Sequence, residues 1–86
     1  MSTIPVTWHT RDIGKLRFVG FSDTASLMRM AGCISGQQVV VWLDRREVFR
    51  SDASSREEAA AILHAALLMH YASYPSDFDV LSDTAG

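Results

Sequence analysis

From Glu57 to Tyr74 the chain reads EEAAAILHAALLMHYASY, with apolar side chains recurring at helical spacing and almost no charge between them. At about 100° per residue, Ala59, Ile62, Leu63, Ala66, Leu67, Met69 and His70 collect on one broad face. The pattern predicts a helix over Ser55 to Ala72, laid on a sheet through that face. Two Ser-x-x-Glu pairs stand at its start, Ser54 with Glu57 and Ser55 with Glu58, and either can cap the first turn. The glutamates also suit the positive end of the helix dipole. Pro75 closes the helical stretch.

The opposite side of this helix carries Ala61, Ala65, Leu68 and Ala72, flanked by His64 and Tyr71, where a solvated helix would show Lys, Glu or Gln. Small residues let a second backbone approach, and Leu68 and Tyr71 are the candidate anchors. The expected partner is the same helix of a second copy, so the expected state is a homodimer with Ala61, His64, Ala65, Leu68, Tyr71 and Ala72 at the seam.

Upstream the periodicity changes to two. Residues 4–9 alternate weakly, RDIGK supplies a turn with Gly14, and KLRFVGF places Leu16 and Phe18 on one face, which together read as a hairpin. Turns at Ser35–Gly36 and Asp44–Arg46 divide the next stretch into a meander. Residues 25–31 are ambiguous, because Ala, Leu, Met and Arg form helices well although the position suits a strand. QVVVWL is apolar on both faces, as in a strand covered from two sides, whereas one helix covers only one. The fold class expected is α+β, an antiparallel meander of about four strands with one long C-terminal helix packed on one face. One domain spans 1–86, and 75–86 reads as a loosely ordered acidic tail whose Phe78, Val80 and Leu81 line an edge or stay mobile.

Composition fits a soluble globular chain, with 48% apolar and 21% charged residues. The single Cys33 excludes an internal disulfide and suits a reducing cytoplasm. Residues 1–10 lack the basic and apolar regions of a signal peptide, and no apolar run is long enough to cross a bilayer. Charge is divided along the chain: residues 1–56 hold all eight basic side chains against five acidic ones, and residues 57–86 hold five acidic and none basic. Such polarity can orient a partner, although a solvated surface has the same look.

Candidate chemistry is sparse. His64 and His70 are about 240° apart around the helix, so they cannot share an ion, and neither a metal nor a cofactor is expected. Cys33 and His9 have no accompanying oxyanion device, no glycine-rich phosphate loop occurs, and Asp77 and Asp79 sit in the tail. Enzymatic activity is therefore disfavoured. Arg45, Arg46 and Arg50 beside Trp42, with Arg11, Lys15 and Arg17 on the other hairpin, form the one patch suited to phosphate. Asp44, Glu47 and the net charge of -2 weigh against it.

The function expected is thus a small non-catalytic interaction protein, a regulator, adaptor or inhibitor of the size carried by phages and mobile elements. It would dock on a larger protein or nucleoprotein partner as a homodimer. The competing class is a nucleic-acid-binding module built on the arginine hairpins.

Overall fold

A computed structural model describes residues 6–22 and 28–81. Five strands run in chain order through one antiparallel sheet: β1 Thr7–Ile13, β2 Leu16–Ser22, β3 Arg29–Ser35, β4 Gln38–Leu43 and β5 Arg46–Asp52. One helix follows, α1 Arg56–His70. The α+β meander expected from the sequence is present, with five strands in place of about four. Residues 29–31 belong to β3: pairing of Arg29 and Met30 with Phe21 and Gly20 of β2 outweighs the helix propensity of those side chains. Residues 25–27 lie outside the described residues. Strand β1 runs on through Arg11, Asp12 and Ile13, so the first turn is confined to Gly14 and Lys15.

The alternation along each strand sorts the side chains between two faces. Trp8, Val19, Phe21, Ile34, Val39, Val41 and Phe49 lie on the inner face and meet α1 or the segment after it. Helix α1 packs on β3, β4 and β5 only. The β1–β2 half is covered instead by residues 71–81. Trp8 touches the rings of Tyr71 and Tyr74 with centroids 5.4 and 5.0 Å away, and the buried Arg17 guanidinium donates to the Val80 carbonyl. Tyr74 and Val80 are buried. The segment 75–81, expected to be a loose tail, therefore completes the core; residues 82–86 lie outside the described residues.

Of the two capping pairs, Ser55 and Glu58 form the cap: Ser55 Oγ accepts from the Glu58 amide at 3.1 Å. Ser54 instead donates to the Glu58 carboxylate at 2.6 Å. Leu63 and Leu67 are fully enclosed together with Val19, Val39 and Val41, and each such side chain contributes about 1.5–3 kcal/mol by transfer from water. Two glycines make the close approaches possible. A Cβ at Gly32 would meet Leu63 Cδ1 at 2.5 Å, and one at Gly20 would overlap the Arg29 carbonyl oxygen beside a β-bulge.

Helix phase explains one departure from expectation. Met69, placed on the sheet face by the sequence pattern, is 83% exposed. It follows the partly buried Ile62 by one heptad, and the drift of about 20° per heptad carries it off the sheet.

Candidate functional site

No described residue after β5 lies on the outer face of the sheet. Its middle row runs Arg11, Phe18, Cys33, Val40, Arg50 across the five strands, as the strand registers dictate. Phe18 on β2 and Trp42 on β4 stand over the intervening β3 with ring centroids 6.4 Å apart and planes 20° from parallel. Both are half-buried.

At the end of the sheet where β2, β3 and β4 meet, this pair opens into a groove of about 650 Å³. The groove wraps the end of the sheet: Phe21 and Tyr71 reach it from the inner side, Met28 and Met30 extend its apolar wall, and Arg29, Arg45 and Asp44 supply its charge. The Tyr71 hydroxyl donates to the Trp42 carbonyl and so fixes the wall at one corner. Burial, with Asp44 nearby, pushes the Tyr71 hydroxyl above its ordinary pKa, so it stays a proton donor. Among the described residues neither Arg29 nor Arg45 makes an ion pair.

The turn that carries Arg45 is a strained one. Asp44 and Arg45 have φ of 51° and 67°, the left-handed pair that a two-residue hairpin turn requires. Asp tolerates this region, but at the second position Gly is the residue without a steric penalty. An arginine is held there at a local cost, with its side chain on the groove.

The sequence-derived phosphate patch is divided by the structure. Trp42 and Arg45 come together in the groove. Arg46 starts β5, opposite Leu43 and away from the groove lining. Arg50 lies in the middle row and is ion-paired with Glu47 at 2.6 Å, which holds the carboxyl below its usual range. Arg17 leaves the patch altogether, since it points inward and binds Asp12 through both carboxylate oxygens at 2.7 and 2.8 Å. Arg29, Phe18 and the two methionines were not legible as site residues, because only the strand order brings them to Trp42.

The helix stripe is also partly redrawn. Ala61, Ala65, Leu68 and Ala72 are exposed, and Met69 joins them. Two flanking residues make side-chain contacts within the chain. His64 Nδ1 is hydrogen-bonded to the Tyr74 hydroxyl at 2.6 Å, and the Tyr71 ring packs on Trp8 and Phe21. His64 thus turns toward the returning segment and Tyr71 toward the β1–β2 hairpin, tertiary neighbours that helical periodicity cannot announce.

Cys33 and His9 are not brought together. His9 bonds Ser22 Oγ at 2.8 Å at the β1–β2 edge, while Cys33 is buried on the central strand, where burial pushes its thiol pKa up. A buried thiol of that kind is a poor nucleophile. Among the described residues no three His, Cys, Asp or Glu side chains cluster as a metal site, and no helix is long and apolar enough to cross a membrane. No family model, no curated protein and no solved structure matches the chain.

Proposed function

We propose that this is a non-catalytic interaction protein, a regulator, adaptor or inhibitor that docks on a larger protein or nucleoprotein through the outer face of its sheet. The observation that carries the reading is the pair Phe18 and Trp42, which lie side by side on a face that no described part of the chain covers. Half-exposed aromatic rings in a shaped groove are the usual anchors of macromolecular contact. The outer stripe of α1, with Leu68 at 42% and Met69 at 83% exposure, supports self-association on the other side of the molecule. The two surfaces lie on opposite layers, so a dimer formed through the helices would leave both sheet faces open.

Two measurements test this. Sedimentation of the wild type and of Ala65→Glu reports the dimer: a wild type that stays monomeric at high concentration removes it. Capture from a lysate with the wild type and with a folded Phe18→Ser, Trp42→Ser double variant reports docking. Identical captured sets would remove the sheet face from the interface.

A further inference from the structure

We infer that the groove between Phe18, Trp42, Arg29 and Arg45 binds single-stranded nucleic acid, an assignment that rests on the sheet's outer face being the docking surface. Three observations converge on it. The first is the ring geometry. Phe18 and Trp42 form a stacked pair across β3, their planes 20° from parallel and their centroids 6.4 Å apart. Such a platform suits the flat π-faces of unpaired bases, which stack on aromatic side chains whatever their sequence. A duplex hides those faces and would leave the platform unused.

The second is charge. Among the described residues, Arg29 and Arg45 line the groove with Asp44 as its single carboxylate, and neither arginine has an ion-pair partner. The net charge of -2 is misleading here. Residues 1–52 carry seven basic and five acidic side chains, whereas residues 53–86 carry one basic and five acidic. The described part of that acidic portion lies on the inner side of the sheet, so the outer face belongs to the basic portion. The third is the turn. Arg45 occupies a left-handed position where glycine would be less strained, so its charge is placed over the groove against the local backbone preference. Non-glycine strain of this kind concentrates at ligand-contacting sites. An acidic peptide would satisfy the two arginines but makes no use of the paired rings, and for that reason the nucleic acid is the better occupant.

The probe is a short fluorescent oligothymidylate, followed by anisotropy at low salt. Binding is expected to weaken as salt rises, with a slope near -1.4 for two neutralised phosphates at about -0.7 each. Trp42→Ala is expected to weaken binding by about tenfold or more, the loss of one stacked base, and Trp42→Phe to restore most of it, which separates stacking from any loss of fold. The Arg29→Gln, Arg45→Gln double variant, both sites being exposed, is expected to flatten the salt dependence. Absence of binding overturns the assignment, as does an unchanged affinity in Trp42→Ala or displacement by polyphosphate as effective as by unlabelled oligothymidylate. The wider docking reading fails separately. Trp42-dependent capture that survives nuclease, with no oligothymidylate bound, rejects nucleic acid and keeps a protein partner, whereas capture indifferent to Trp42 rejects the surface itself.

Discussion

His64 and Tyr74 are joined side chain to side chain, Nδ1 to hydroxyl at 2.6 Å, so the chain that leaves α1 is tied back to the flank of the helix it has just left. Replacing Tyr74 with Phe removes this bond and keeps the ring contacts with Trp8 and Phe78. The expected loss is about 1 kcal/mol, the net worth of one intramolecular hydrogen bond, read from chemical denaturation. Burial, reinforced by Asp79, pushes the Tyr74 hydroxyl up to about 12. The unfolded chain therefore releases that proton first. Stability is complete below about pH 10 and falls as pH rises toward the folded value, and Tyr74→Phe is expected to show a shallower alkaline loss. Cys33 and Tyr71 shift in the same direction and leave a residual slope.

At the acid end, Arg17 controls the response. Its hydrogen bonds hold the Asp12 carboxyl below the ordinary carboxylate range. A depressed folded pKa contributes stability above the unfolded value, lost as pH falls through the folded one. Melting temperatures of wild type and Asp12→Asn, followed from neutral pH downward, should differ most at neutrality and converge in acid. Equal curves throughout would mean that the Asp12–Arg17 pair contributes nothing to stability.

Leu63 is fully enclosed and sits over Gly32. Its replacement by Ala is expected to cost about 2–5 kcal/mol through lost transfer energy and the cavity left behind. Urea unfolding measures this directly, and a parent-like midpoint would contradict the packing of α1 on β3.

Arg45→Gly should act in the opposite direction. Relief of the left-handed φ of 67° is expected to raise stability by about 1 kcal/mol, while the groove loses one of its two arginines. A thermal melt and an anisotropy titration on the same variant read both effects. A variant that is less stable than the parent would show that the Arg45 side chain itself supports the turn.

What the sequence made legible is what local patterns encode. A Ser-x-x-Glu cap at one of two adjacent serines and the core side of α1 at Leu63, Ala66 and Leu67 follow from spacing alone, and Gly14 and Gly36 mark turns through their left-handed φ of 62°. Positions decided by distant chain were not legible. His64 and Tyr71 have the helical phase of the outer stripe, yet Tyr74 of the returning segment binds His64, and the Tyr71 ring packs on Trp8 and Phe21. The groove is similar: Trp42 and Arg45 are close in sequence, but Phe18 and Arg29 reach them only through the β2–β3–β4 pairing. Arg17 looked like a surface charge because nothing local announces that Val80, 63 residues later, closes over it.

That last contact sets an order of assembly. Three of the four strand connections are two residues long, so β2, β4 and β5 can each zip to the preceding strand over a short loop, and α1 follows directly after β5. Closure over Arg17 and Trp8 must span most of the chain, and long-range closure of this kind slows folding more than it weakens the folded state. The β1–β2 hairpin, first in the chain, is consequently the last to lose contact with water on its inner side. Until residues 74–80 arrive, Trp8 and Phe21 lack their cover, and the half-built sheet is the species most open to proteases and to mispairing with its neighbours.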